Sequence, residues 1–435
     1  MGRRRAHVPL NVCMNARFVG RLERNASGAV SFQYDSVWLS WEHAIPLSLS
    51  LPLREQSFQG AAVFPVIDNL LPDGEFLRQR IAERIRAEGS DAYSLLTKVG
   101  RDCVGALQFL PHGEDPGPAG LVDGQPMDEA GIARMIRNLA RSPLGLDPAE
   151  PDFRISIAGA HEKTALLRLD GKWCLPRGAT ATTHILKPPI GIVNDGLDLR
   201  LSCENEWLSL RICKSFGLPT AEAWIEDFED LKVLVVERFD RVWSGDRLLR
   251  HPQEDFCQAT STPPGRKYQS DGGPGMVTIL GLLKASDAPH EDQRTFLKAQ
   301  MMFWLMAAID GHAKNFGIRL FPGGGFRLAP LYDVLSAWPA VQAEQIPYRK
   351  AKLAMAVGRN RHYHLHEICA DHFEQTCILA RIPPTLAREI SDEIADTAER
   401  SMDAALSSLP PGFPDALATT IREKFLNQVL VKAAG

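Results

Sequence analysis

Asp310 and Asn315 stand five positions apart in Asp310-Gly311-His312-Ala313-Lys314-Asn315, and a second acid, Asp333, follows in Leu331-Tyr332-Asp333-Val334. Phosphoryl transfer needs this division of labour. One carboxylate faces the attacking hydroxyl, while separate oxygen donors hold the divalent cation that neutralises a polyphosphate. In that chemistry Asp310 accepts or orients the acceptor's proton, and Asn315 and Asp333 are ligands for Mg²⁺. The plainer reading makes Asp310 the last residue of a long helix beginning near Glu291, with Gly311 as its cap. An acid there would face the negative pole of the helix dipole, which is unfavourable unless a cation compensates, and this favours the functional reading.

Other residues could serve the same chemistry. Lys187 closes the apolar strand Thr183 to Leu186, where a lysine can reach the phosphates of ATP, although a surface lysine at a strand edge has the same pattern. Glu206 on the next helix could pair with it, and so could Glu204. Glu237-Arg238-Phe239-Asp240 follows the apolar strand Leu231 to Val236, where the backbone of a hinge would take adenine; the alternative is a strand-end charge pair. Ser156-Ile157-Ala158-Gly159-Ala160-His161-Glu162-Lys163-Thr164 is a small-residue turn. Gly159 lets backbone N–H groups approach phosphates and Lys163 adds charge. It is neither a Walker A motif nor a G-x-G-x-x-G loop, and alone it would pass for a hairpin turn.

These residues need elements to position them. From Val8 to about Leu53 apolar residues alternate with a period of two, including Pro46-Leu47-Ser48-Leu49-Ser50-Leu51, and predict strands. A helix is expected through Phe76, Ile81 and Ile85, and a breaker-rich stretch from Pro111 to Pro118 ends an N-terminal subdomain at 1–120. Residues 121–250 then read as a mixed α/β, ATP-binding part: strands at Phe153–Ile157, Lys163–Leu169, Thr183–Lys187 and Leu231–Val236, and a helix from Glu204 to Phe216. From 251 to 435 helices dominate, at Pro274–Lys284, Glu291–Asp310, His366–Arg381, Leu386–Leu406 and Asp415–Val431. The fold class expected is α+β, a bilobal protein-kinase-like fold with a small β-rich N-terminal lobe and a larger all-helical C-terminal lobe.

Composition excludes several alternatives. With 435 residues, 45% hydrophobic and 23% charged, the chain can bury a full core without staples. Its 49 Lys+Arg against 53 Asp+Glu leave a formal charge of -4, so DNA contact must be local or supplied by a partner. Neither a signal-peptide h-region nor a bilayer-length apolar run is present, which predicts a cytoplasmic protein away from membranes. The eight cysteines are scattered without metal-site spacing and read as reduced and mostly buried. His362, His364 and His366 alternate before Glu367, compatible with a metal site or with a solvated loop entering a helix.

The order small-residue loop, strand lysine, helix, hinge strand, Asp-x-x-x-x-Asn, hairpin, Asp is more specific than any one member. The stretches Asp152 to Ala160, Thr183 to Lys187, Val235 to Arg241, Asp310 to Phe316 and Tyr332-Asp333 resemble the HipA serine/threonine kinase toxins. The likeness extends to Asp68-Asn69-Leu70-Leu71-Pro72-Asp73 and Gly100-Arg101-Asp102.

The resemblance implies Asp310 as catalytic acceptor, Asn315 and Asp333 as metal ligands, and Lys187 on ATP. It further implies Ala158, Gly159, Ala160, His161, Glu162 and Lys163 on phosphates, Glu237, Arg238 and Phe239 at adenine, and His312, Ala313, Lys314 and Tyr332 along the nucleotide. Ser156 matches the family's autophosphorylated serine. ATP and Mg²⁺ are implied as cofactors, an aminoacyl-tRNA synthetase, best of all the glutamyl enzyme, as substrate, and stalled translation with dormancy as outcome. The implied partner is a dimeric helix-turn-helix antitoxin, HipB, through which the complex represses its own operon. Two departures stand out: His161 replaces a Gln, and Ile378-Leu379-Ala380-Arg381 keeps only Arg381 of a DNA-contacting basic pair. A small-molecule or lipid kinase would lack the loop serine and the N-terminal extension, and a non-enzymatic corepressor would have no need of Asp310, Lys187 and Asp333.

Overall fold

The computed structural model describes residues 7–139, 158, 159, 161–193 and 196–433. Ser156, Ala160 and the strand expected at 153–157 lie outside the described residues. The period-two segments near the N-terminus build a five-stranded antiparallel sheet, ordered Phe58–Gln59, Val30–Tyr34, Arg17–Arg24, Leu10–Met14, Leu107–Pro111. Its inward residues Leu10, Val12, Leu22, Phe32 and Phe109 are buried, as alternation requires when one face packs on a core.

Pro46 to Leu51 departs from the expectation. It forms a tight turn bridged between Ser48 and Leu51, not a strand. The Ser48 and Ser50 hydroxyls donate to the Gln258 carbonyl at 3.3 and 2.8 Å, and the Leu49 N–H donates to Glu254 Oε1 at 2.8 Å. Side-chain partners thus replace the ladder bonds a strand would make.

A six-stranded sheet follows, ordered Ala223–Phe228, Leu231–Glu237, His184–Lys187, Thr164–Leu169, Lys172–Pro176, Gly124–Pro126. The chain is α+β, in two units. One comprises Met1–Pro188, Glu226–Gly265 and Ile318–Phe326 and holds the five-stranded sheet; the other comprises Pro189–Ile225, Arg266–Gly317 and Arg327–Gly435. The second unit is built on helices Ser202–Ser215, Pro289–Leu305, Ala370–Ala380, Thr385–Leu406 and Asp415–Ala433. Its core includes Phe296, Phe303, Phe373 and Phe425, all buried. None of the described helices is long and apolar enough to cross a membrane.

The stretch 251–435 is not all-helical. Gly317–Leu320 and Phe326–Leu328 lie in a three-stranded sheet, and Lys352–Val357 pairs with His362–His364. Leu353 to Val357 is a continuous buried apolar run, and Gly358 at φ +76° makes the turn back. A run this short and apolar, bounded by a turn residue, pairs as β inside a helical surrounding. His362 and His364 are therefore strand residues, not loop residues, and the helix expected from His366 begins at Ala370.

Candidate active site

The helix carrying chain toward Asp310 ends earlier than the sequence pattern suggests, at Leu305. Met306 caps it, Ala307 adopts φ +51°, and the Ala308 N–H donates back to the Phe303 carbonyl at 2.7 Å, the six-to-one bond of a Schellman ending. Asp310 therefore sits on a loop beyond the helix, and the dipole reasoning applied to it does not hold. Nearly half its side chain is covered, with 54% exposed.

What holds that loop is local. Asn315 Nδ2 donates to the Asp310 carbonyl at 2.7 Å, the His312 N–H to the same carbonyl at 2.7 Å, and the Asn315 N–H to the His312 carbonyl at 2.9 Å. With its amide nitrogen so used, Asn315 has its oxygen for a cation. Phe316 is buried against Phe296 and Phe303, at ring distances of 5.0 and 5.4 Å, and anchors the end of the loop. Gly311 is required by space: a Cβ there would collide with the Phe303 ring.

Tyr268 escapes sequence reasoning altogether. Its phenol donates to Asp310 Oδ1, and its ring meets His312 edge-on at 5.0 Å. His312 Nε2 lies 3.9 Å from the same carboxylate oxygen. The residue is 42 positions upstream of Asp310 in an irregular segment, where no periodicity or motif points to it.

Asp333 is brought to the same loop. Tyr332 Oη donates to the Lys314 carbonyl at 2.8 Å, so the two stretches are stitched one residue from Asn315 and one from Asp333. The Leu331 N–H donates to Pro219 and its carbonyl accepts from Ala221, both at 2.8 Å, while Asn205 grips Ser336 through both amide groups. Asp333 itself has φ +60°, a left-handed conformation that costs a non-glycine residue energy and that clusters at functional sites. Hard oxygens from Asn315 and Asp333 suit Mg²⁺, which takes most of its shell from phosphates and water. Among the described residues no group of three His, Cys, Asp or Glu is arranged to hold a metal ion, and this includes the His362–Glu367 stretch.

In the other unit, Lys187 ends a central strand, paired with Leu231–Glu237 on one side and Thr164–Leu169 on the other. It is half-buried and not at a sheet edge. His184 on that strand is buried against Trp173 at 5.2 Å, and burial, reinforced by Arg168, pushes it down to about 4. Gly159 has φ +117°, a conformation that side chains rarely adopt, so its backbone favours glycine, while the nearest atoms to a Cβ there belong to the flexible end of Lys163, which can move aside. Glu162 pairs with Arg80 at 3.2 Å. Ala158 and His161 flank the same turn, with the N–H of Asp73 donating to the Gly159 carbonyl at 3.2 Å.

The hinge stretch differs from its simple reading. Glu237 is exposed and pairs across the sheet with His184, and the Phe239 carbonyl accepts from Arg319 at 3.2 Å. Arg238 turns inward. Its N–H donates to Thr183, and its guanidinium bonds Asp240 and the Cys103 carbonyl in a buried cluster with Asp102, Arg241 and Arg250. Burial works against ionisation of Asp102, but Arg241, Arg250 and Arg238 overcome it and hold the carboxyl far below the usual range. Arg381 caps helix Ala370–Ala380 in a left-handed conformation, exposed to solvent. The eight cysteines are all free, and seven are buried.

Residues 155–402 match the model of the HipA-like C-terminal domain and residues 10–110 that of the HipA N-terminal domain. The Sinorhizobium fredii protein that bears the name "Putative kinase Y4mE" is 36% identical over 396 residues, 90% of each chain. The serine/threonine-protein kinase toxin HipA of Shewanella oneidensis is 25% identical over 366 residues, 80% of this chain and 78% of that one. The solved structure of Shewanella oneidensis MR-1 HipA with HipB and operator DNA is similar in fold, with a TM-score of 0.81 at 22% identity over 98% of this chain and 97% of that one. One family model spans more than half of the sequence and a relative above 30% identity covers nine-tenths of it, so the chain belongs to the HipA family and is a protein kinase of that family.

Proposed function

We propose that this kinase is the toxin of a type II toxin–antitoxin pair and transfers the γ-phosphoryl group of ATP to serine or threonine of a translation protein in the cytoplasm. The observation that supports it most is the loop in which Tyr268 and Asn315 both bond Asp310 while Tyr332 ties the Asp333 stretch alongside. Asp310 then holds the proton of the acceptor hydroxyl, and Tyr268 keeps its carboxylate aimed. Asn315 and Asp333 would hold Mg²⁺, which when bound neutralises charge on the phosphates. Lys187 and Lys163 supply countercharge, Gly159 and its neighbours offer backbone N–H groups, and the Glu237–Phe239 stretch takes adenine. His312, Ala313, Lys314 and Tyr332 line the nucleotide. In this reading the fold is bilobal, with residues 1–120, 121–250 and 251–435 as its successive parts.

The substrate in this reading is an aminoacyl-tRNA synthetase, the glutamyl enzyme first. Autophosphorylation at Ser156 would switch the kinase off, since a phosphoserine adds about −1.5 to −2 charges beside a loop whose ligand is itself a polyanion. A dimeric HipB-type antitoxin would neutralise the toxin and carry it to operator DNA. The test is phosphoproteomics of cells expressing wild type or Asp310→Asn. A synthetase phosphosite and a Ser156 phosphosite present only with wild type are expected; equal patterns in both would overturn the reading.

A further inference from the structure

Asp68-Asn69-Leu70-Leu71-Pro72-Asp73 has no part in the chemistry described so far, yet it meets the proposed phosphate loop directly. Pro72 forms a parallel bridge with Gly159, and the Asp73 N–H donates to the Gly159 carbonyl at 3.2 Å. The turn is braced from helix Glu75–Ile85. Arg78 bonds the Asp68 carboxylate, donates to the Asp68 carbonyl at 2.9 Å and reaches the Pro72 carbonyl at 2.5 Å, with Asp68 buried. Two residues on, and so on the opposite side of the helix, Arg80 pairs with Glu162 at 3.2 Å. The loop is therefore held at two points, by the main chain of the Pro72–Asp73 turn at Gly159 and by the charge of Arg80, on the helix that follows, at Glu162.

We infer that Asp68–Arg80 is a clasp of the N-terminal region that positions the phosphate loop, with Arg80 a positioning residue that sets nucleotide affinity through Glu162. The inference rests on the reading that this loop holds ATP phosphates. Tethering the Gly159 carbonyl restrains the loop's backbone at that residue, and pre-ordering a loop before binding removes a cost that the ligand would otherwise meet. Arg80 and Glu162 keep 24% and 36% of their side chains exposed, so their pairing is modest and salt-sensitive.

The test compares wild type, Arg80→Glu and the charge swap Arg80→Glu/Glu162→Arg by calorimetry with Mg-ATP, by melting temperature, and by hydrogen exchange of the apo loop. Arg80→Glu is expected to weaken Mg-ATP about three- to fivefold, to speed exchange at 158–163 and to leave the melting temperature unchanged, the swap restoring both. Arg80→Gln substitutes if the reversal does not fold. Unaltered exchange and affinity in a wild-type-like fold, or a swap that restores neither, would overturn the clasp. Failure of wild-type protein to bind Mg-ATP while Arg80→Glu still accelerates exchange would instead overturn the phosphate-loop reading and leave the clasp standing.

Discussion

Asp310 is placed for chemistry by two bonds of different kinds. Asn315 holds its backbone carbonyl, which fixes where the residue sits, and Tyr268 holds its carboxylate, which fixes where the charge points. Asp310→Asn should abolish transfer, lowering kcat at least a thousandfold while Mg-ATP binding stays near wild type, because the metal-holding oxygens remain. Wild-type turnover by that variant would exclude Asp310 as the acceptor. Tyr268→Phe removes one hydrogen bond to a charged group, an interaction of about 1.5–3 kcal/mol, and should lower kcat about tenfold to a hundredfold. Steady-state kinetics check this: KM for ATP is expected to be unchanged, since Tyr268 touches the carboxylate and not the metal-holding residues.

At the scale of elements, two buried groups decide how segments far apart in sequence are held. Asp102 accepts from Arg241 at 2.9 Å, from Arg250 at 3.1 Å and from the Thr182 hydroxyl at 2.7 Å, tying the Gly100–Asp102 stretch to the strands beyond the hinge. Asp102→Asn leaves three arginines buried with one carboxylate and should destabilise the fold by about 3–5 kcal/mol, read from denaturant midpoints. Glu254 behaves oppositely. Burial, with some help from Asp255, raises it to about 8 even though the Leu49 N–H and Ser48 favour its charged form. A carboxyl whose folded value is raised binds more protons folded than unfolded, so it makes stability fall as pH rises from about 4.5 to about 8. Glu254→Gln keeps the acceptor for Leu49 and cannot ionise. Its melting temperature should exceed wild type at pH 8.5, and the difference should shrink toward pH 5; a gap independent of pH would show that Glu254 is not ionising there.

For the whole molecule, the excess of acids over bases sets how it meets DNA. A formal charge of -4 gives no general attraction to phosphates, and the exposed Arg381 is a single cation on a helix cap. Gel shifts on the operator should therefore show binding with the helix-turn-helix partner and none by the isolated kinase at physiological salt. Tight, sequence-specific binding by the kinase alone would contradict this and move the DNA contact onto this chain.

The sequence by itself determined the features whose cause is local. The spacing of Asp310 and Asn315 belongs to one loop closed by its own hydrogen bonds, and period-two alternation along Leu10–Met14 and Arg17–Arg24 follows from a sheet buried on one face. Lys187 was legible as a strand lysine, but its central place in the sheet depends on which strands flank it. Only the tertiary structure decided the rest. Tyr268 reaches Asp310 across 42 residues, and Arg250 reaches Asp102 across 148, separations over which no periodicity carries information. The long helix stops at Leu305 because Ala307 turns left-handed without the glycine that usually announces such an end. Ser48-Leu49-Ser50 alternates like a strand and becomes a turn because its polar groups find Gln258 and Glu254, partners that only the folded chain brings within reach.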